Sequence, residues 1–226
     1  NVMKKTIALF DLDKTLIPGD SDHGWGAFLS KNGFVDAVGF KNKHDYFYQQ
    51  YCAGTLDIIE YSEFAFEVLT QHPMAELQQW REQFMAELIE PMIQPQALDL
   101  VKRHQDAGHE CVLVSATNEF VIEPIGWRLG FEHIIGTTPE QKDGQFTGKV
   151  FGTPSFQAGK ITRVQQWLNE RGADWDRVVT FFYSDSMNDV PLLEKATFPM
   201  ACNPDDTLRG IARARHWPIL ELFEMQ

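Results

Sequence analysis

Apolar spacing along the chain changes character twice. Ile7-Ala8-Leu9-Phe10 is a short apolar run behind a basic start, the pattern of a strand buried on both faces of a parallel sheet. It leads directly into Asp11-Leu12-Asp13-Lys14-Thr15, so two carboxylates stand one residue apart at the predicted strand end. Ile17-Pro18-Gly19-Asp20 is a turn signal. From residue 21 to about residue 90, strand-like runs vanish and helical spacing takes over. Trp25, Phe28 and Leu29 share one helical face, with Gly33 as the stop. Phe40, Tyr46, Phe47 and Tyr51 predict a second helix that ends near Gly54. Thr55 is placed to cap a third, carrying Leu56, Ile59, Phe66 and Leu69. Pro73 suits the first turn of a fourth, with Met74, Leu77, Trp80, Phe84 and Leu88 inward and an end before Pro91.

From Pro95 the rhythm is that of an α/β protein. Helices are predicted over 97–107, 119–129 and 159–168, with shorter ones near 190–195 and 208–214. Strands are predicted over 111–114, 133–136 and 178–183, with another near 198–201. Lys142-Asp143-Gly144-Gln145 marks a tight hairpin turn. Alternation of this kind builds a doubly wound parallel sheet with helices on both faces. Three of the predicted strands end in polar groups: Asp11 and Asp13; Ser115 and Thr117; and Asp185, Asn188 and Asp189. In an open α/β sheet those ends share the carboxyl edge, where ligands bind.

Carboxylates gathered on one edge repel each other and call for a cation. Oxygen donors with no His or Cys close by in the sequence suit Mg²⁺. Lys160, at a predicted helix start, is a candidate second cation. A carboxylate, Mg²⁺, a lysine and a serine beside free backbone N–H groups together suit phosphoryl transfer. The carboxylate attacks phosphorus and the cations bind the non-bridging oxygens. The cations matter because two like unit charges about 4 Å apart cost about 4 kcal/mol at an effective dielectric near 20. An anionic nucleophile therefore cannot approach a phosphate dianion unaided.

Composition narrows the partners. A net charge of −12 over 226 residues excludes a phosphate-backbone ligand, which needs a basic surface. An apolar content of 43% is enough for a sizeable core, and no run is long enough to cross a membrane. No secretory leader pattern is read at the start of the sequence. Cys52, Cys111 and Cys202 lie far apart, which fits reduced thiols and a cytoplasmic location. The expected partner is a small phosphorylated metabolite, with neither nucleic acid nor membrane, and the expected state is a monomer or homodimer.

Taken together, these stretches resemble the haloacid dehalogenase superfamily, whose four motifs occur in this order. Asp11-Leu12-Asp13-Lys14-Thr15 resembles the first and Val112-Leu113-Val114-Ser115 the second. Lys160 resembles the third, and Asp185-Ser186-Met187-Asn188-Asp189 the fourth. The helical stretch between the first two motifs is similar to the C1-type cap of the phosphoserine-phosphatase-like branch. The resemblance implies a Rossmann-like core domain over 1–18 and 92–226 and a helical cap domain over 19–91. It implies that Asp11 is the nucleophile forming an aspartyl-phosphate, and that Asp13 is the acid for the leaving oxygen and then the base for water. Asp11, Asp13 through its carbonyl, and Asp185 would hold Mg²⁺. Asp189 would bind the metal through water or orient Lys160. Ser115, the Ala116 N–H, Lys160 and Asn188 would bind phosphate. Ser184 departs from the glycine common before the metal-binding Asp; serine is small, and little change is expected.

The cap departs further. Asp20 stands where an acid holds the substrate amine in phosphoserine phosphatases. Gly54-Thr55-Leu56 resembles the pattern preceding an arginine that holds the substrate carboxylate, yet Glu63 falls where that arginine is expected. Asp22 is another of the acids in or beside the cap, and no arginine occurs between Asp13 and Arg81. The expected substrate is therefore a phosphomonoester with an amine and no carboxylate, such as histidinol phosphate, rather than phosphoserine. Its ammonium would pair with Asp20 or Glu63 and its ring would stack on Trp25. Two alternatives share the acidic strand ends. One is a phosphotransferase or mutase with the same intermediate. The other is a receiver-like module whose phospho-Asp is a signal, which needs neither Asp13 nor a cap.

Overall fold

In the computed structural model, which describes residues 3–223, β1 (Lys5–Phe10) lies at the centre of a seven-stranded sheet. The expected core domain's first two and last three residues lie outside the described residues. After β1 the chain forms α1 (Ser21–Lys31), α2 (Ala37–Ala53), α3 (Ile58–Thr70) and α4 (Met74–Phe84). Then follow α5 (Pro95–Asp106), β2 (Glu110–Asn118), α6 (Glu119–Arg128), β3 (His133–Lys142) and β4 (Gln145–Phe151). The chain continues with α7 (Ala158–Glu170), β5 (Val178–Ser184), α8 (Val190–Lys195), β6 (Phe198–Cys202), α9 (Asp206–Arg215) and β7 (Ile219–Leu220). The strand order is β4-β3-β2-β1-β5-β6-β7, parallel throughout except for the β3–β4 hairpin.

The apolar run of β1 is continuous because both its faces are covered. Ile7 and Leu9 join a layer with α7, α8 and α9, whereas Ala8 and Phe10 join the layer formed by α1, α3, α4, α5 and α6. Phe10 is in register with Leu113 on one side and Tyr183 on the other. The chain leaves β1 for β2 in one direction and reaches β5 in the other, so the strand order reverses beside it. The crevice of a doubly wound sheet opens at the carboxyl ends there.

The helical insert contributes to the core as well as to the cleft. Trp25 and Phe28 of α1 meet the Phe84 ring at 5.3 and 5.7 Å between centroids, and Trp25 also meets Phe120 of α6 at 6.2 Å. Phe47 of α2 packs on Tyr61 and Phe64 of α3, both at 5.3 Å. Gly54 ends α2 with φ of 77°, a left-handed turn that glycine adopts without a Cβ penalty. Among the described residues no helix is long and apolar enough to cross a membrane.

Several boundaries differ from those predicted. Asp57, not Thr55, caps α3: its carboxylate accepts the Ile59 and Glu60 N–H groups at 3.1 Å. The Thr55 hydroxyl instead donates to Gln50 Oε1. Strand β2 continues through Ser115–Asn118, residues polar enough to read as loop, with a shifted register between Val114 and Asn118. The β3–β4 hairpin is longer than predicted, turning at Asp143 and Gly144, which have φ of 54° and 76°. Consecutive positive φ values make this a primed turn, whose twist matches the flanking strands.

Candidate active site

Asp11 is the first residue past β1. Its N–H still donates to the Tyr183 carbonyl at 2.9 Å, so the sheet ladder holds its backbone, and its side chain is buried. Lys160 reaches it from α7. The approach depends on Gly159, where a Cβ would lie 2.2 Å from the Pro154 carbonyl. Lys160 Nζ donates to Asp11 Oδ1 and the Val114 carbonyl, each at 3.1 Å, and stands 2.9 Å from Asp189 Oδ1. Burial opposes its charge, but Asp11 and then Asp189 hold its pKa above the ordinary lysine value. The lysine therefore stays protonated.

Asp185 follows β5, and Asp189 lies in the short turn Met187–Asp189. Thr15 Oγ1 donates to Asp185 Oδ1 at 3.1 Å and lies 3.5 Å from Asp11 Oδ2, so it bridges the first and last acidic strand ends. Burial, followed by the Asp11 charge, pushes the Asp185 carboxyl well above the usual range. Asp189 is pushed up to about 6, by burial against the pull of Lys160. Ser184, expected to matter little, donates from Oγ to Asp189 Oδ2 at 2.6 Å and accepts the Ser186 N–H at 3.1 Å. Glycine at this position could do neither.

Asp13 faces Asp11 without a cation of its own. Its Oδ1 accepts the Ser21 N–H at 2.6 Å and its Oδ2 accepts the Thr117 hydroxyl at 3.0 Å. Burial, then Asp20 and Asp11, raises its pKa well above the usual value. One carboxylate is thus ion-paired while its neighbour's pKa is raised, an arrangement that separates nucleophile from acid.

A cleft, open to solvent, rises from these two residues between α1, α2 and α3. Asp20 and Asp22 line it together with His44 and Tyr61, and none of the lining residues is Lys or Arg. Both carboxyls are pushed up to about 6, Asp20 by burial and then Asp22, and Asp22 by burial.

Of the residues singled out in the sequence, Asp11, Lys160, Asp185 and Asp189 meet at one point, and Asp13 and Asp20 face the cleft above it. Ala116 and Thr117 line the cleft, and Ser115 lies beneath, its Oγ accepting the Thr117 N–H at 3.1 Å. Three expectations need correction. Trp25 is buried among Phe28, Phe84 and Phe120, away from the cleft, because its helical face packs on the sheet layer. Glu63 is exposed with Ile59, Glu60 and Glu67 on the outer face of α3, while Tyr61, Ser62 and Ala65 turn inward. Asn188 is engaged at the seam with α2: its Nδ2 donates to the Tyr51 carbonyl at 2.9 Å and its Oδ1 accepts from Gln157 at 3.0 Å. Tyr61 was not singled out; Thr15 and Thr117 were named only within the strand-end groups, and Asp22 only as one of the acids in or beside the cap. Helical spacing from Asp20 and the threonines flanking each motif are the signals that point to them.

The oxygen donors fit a hard divalent cation. Asp11 and Asp185 are buried together, and burial and Asp185 keep the neighbouring Cys202 thiol well above its ordinary pKa. That thiol is protonated and is no competing ligand. His23, His44 and Asp45, of α1 and α2, form another group with donor atoms within 4.8 Å of one another. Its nitrogen donors do not suit Mg²⁺.

The family model for haloacid dehalogenase-like hydrolases matches residues 8–194. A histidinol-phosphatase of Neisseria meningitidis is 45% identical over 218 residues, 96% of this chain and 98% of that protein. A crystal structure of a Bordetella pertussis protein described as of unknown function superposes with a TM-score of 0.93 at 44% identity, covering 98% and 100% of the two chains. A phosphoserine phosphatase structure, described as a phospho-aspartyl intermediate analogue, shares the fold at a TM-score of 0.68 and 18% identity, over 98% of this chain and 95% of that one.

Proposed function

The chain belongs to the haloacid dehalogenase-like hydrolase family and is a phosphatase, and on that premise we propose that it hydrolyses a small amine-bearing phosphomonoester through an aspartyl-phosphate on Asp11. The observation that carries this reading is the pairing of Asp11 with Lys160 at 3.1 Å, opposite an Asp13 whose carboxyl is buried beside Asp20 and Asp11 and raised in pKa. The Asp11 carboxylate forms a bond to phosphorus as the ester P–O bond breaks. The Asp13 carboxyl gives its proton to the leaving oxygen, so the product is a neutral alcohol. Asp13, now ionised, takes a proton from water. That water attacks the acyl phosphate, releasing inorganic phosphate and free Asp11.

Asp11, the Asp13 main-chain carbonyl and Asp185 are the groups that would hold Mg²⁺, which when bound supplies positive charge at the phosphoryl oxygens. Lys160 holds Asp11 in place, and Asp189 and Ser184 hold Lys160. Ser115 and the Ala116 N–H are the proposed phosphate contacts. Chelation abolishes turnover and Mg²⁺ restores it, whereas Ca²⁺ restores little, because its larger and looser shell misplaces the nucleophile. Full activity in metal-free buffer overturns the metal assignment. Phosphate release against alcohol acceptors added in excess separates hydrolase from transferase.

The substrate follows from charge. Asp20 is placed for an ammonium, and a carboxylate in this cleft meets Asp20 and Asp22 with no Lys or Arg among the lining residues. A misplaced charge in a closed site costs a few kcal/mol, and each 1.4 kcal/mol is about tenfold. Histidinol phosphate, the substrate implied by the name of the Neisseria relative, has the required ammonium and no carboxylate. We expect its kcat/KM to exceed that of L-phosphoserine by at least about tenfold. Steady-state kinetics on the two esters decide it; a phosphoserine preference would show the charge reading to be wrong.

A further inference from the structure

The cleft holds a second polar centre that phosphate chemistry does not use. Asp22 lies in the first turn of α1, two residues past Asp20, and the Tyr61 hydroxyl of α3 donates to its Oδ2. The Tyr61 oxygen also lies 3.4 Å from His44 Nε2 of α2. Side chains from three helices of the insert therefore meet around the Tyr61 hydroxyl. Burial, and then Asp22 itself, keeps the Tyr61 phenol well above its ordinary pKa, so it remains a donor. Burial lowers His44 to about 4, so its imidazole is neutral.

Tyr61 is fixed in turn by Phe47 at 5.3 Å and Phe64 at 6.3 Å. A phenol with one proton, held between two packed rings, orients the carboxylate it serves. No second side-chain donor to Asp22 is present among the described residues, so its other oxygen is uncommitted where the residue lines the cleft. The neighbouring wall is apolar, with Ile58, Ala65 and Phe66. Asp22 is half-buried, and the protein supplies a donor, Tyr61, to one of its oxygens while the other is open to the cleft. An apolar wall beside an oriented acceptor suits a flat ring that carries an N–H on its edge.

On the phosphatase reading above, we infer that Asp22 is a specificity-determining residue that accepts a hydrogen bond from the ring N–H of the substrate's leaving group, with Tyr61 as its positioning residue. Asp20 then takes the amine next to the ester, and Asp22 takes the ring beyond it. Ala65 leaves room for that ring where a long side chain would fill the space.

The test compares kcat/KM for histidinol phosphate, which has amine and ring, with that for O-phosphoethanolamine, which has the amine alone. In Asp22→Asn the Tyr61 hydroxyl still engages the amide oxygen, so the amide N–H groups face the cleft, donor against donor. The ratio of the two kcat/KM values falls at least about tenfold, mainly through the KM for histidinol phosphate. Tyr61→Phe keeps the ring packing and shifts the ratio several-fold in the same direction. An unchanged ratio, whether both rates fall together or neither does, overturns the assignment of Asp22. If Asp22→Asn melts below the assay temperature, Tyr61→Phe decides on the same criterion. Wild-type protein that hydrolyses neither ester, with Mg²⁺ present, instead refutes the amine-bearing substrate reading before any variant is compared.

Discussion

Asp11→Asn lowers kcat by roughly a thousandfold or more while the protein stays folded. The amide is isosteric with the carboxylate but is a poor nucleophile, so the covalent step is lost. The fold persists because the remaining contacts suffice. Lys160 keeps Asp189 at 2.9 Å and the Val114 carbonyl at 3.1 Å, and the asparagine oxygen can still accept from it. The backbone at residue 11 is held by Tyr183 independently of the side chain. Single-turnover kinetics with acid quench, followed by intact-mass measurement, check the phosphorylated species: present in wild type and absent in the variant. A folded variant with near-normal turnover rules out the aspartyl-phosphate route.

The fold was legible where burial leaves a pattern. β1 and β5 are apolar runs because helices cover both faces of the sheet, and each run ends where side chains meet the crevice. The insert's helices were legible because Phe28, Phe47, Phe66 and Phe84 bury one face each. The polar half of β2 was not. Ser115–Asn118 keep strand geometry for reasons that lie outside their own propensity: Thr137 of β3 donates to the Ala116 carbonyl, and Thr117 donates to Asp13. β7 was missed as well, because two residues carry no period.

The catalytic centre was more legible than the cleft above it, for a geometric reason. A residue one place past a parallel strand is confined to one edge of the sheet, whatever the rest of the fold does. That constraint brings Asp11 and Asp185 together across 174 residues of chain, bridged by Thr15. A residue on a cap helix has no such constraint. Each step along a helix turns the side chain by about 100°, so placing Glu63 inward required a phase that the sequence alone did not supply. Tyr61, Ser62 and Ala65 take the inward face instead. Trp25 failed for the opposite reason. The apolar face of α1 was read correctly, but it packs on the sheet layer, leaving Asp22 on the cleft side of the same helix.

Lys160→Met should damage both activity and stability, and the two effects can be separated. The methionine matches the lysine in length and fits beside Phe182, which lies 5.8 Å from the ammonium. It leaves Asp11 and Asp189 buried with no cation between them. Breaking one partner out of a buried ion-paired group costs about 3–5 kcal/mol. At roughly 2–4 °C per kcal/mol for a chain of this size, the metal-free protein should melt about 10 °C lower. The loss depends on pH. Asp189 already sits at about 6, raised chiefly by burial while Lys160 pulls it down, and removing the lysine lets it rise further. A carboxyl whose folded pKa is raised favours folding below its unfolded value and loses that contribution as pH climbs through the folded one. The penalty of Lys160→Met is therefore larger at pH 8 than at pH 5. Adding Asp189→Asn removes the stranded charge and should recover much of the melting temperature. It should not recover kcat, which falls about a hundredfold or more because the nucleophile and the phosphoryl group lose their shared cation. Melting curves from pH 5 to pH 8 and kcat for wild type, single and double variants make the comparison. Recovery of kcat along with stability in the double variant would show that Lys160 only holds the fold.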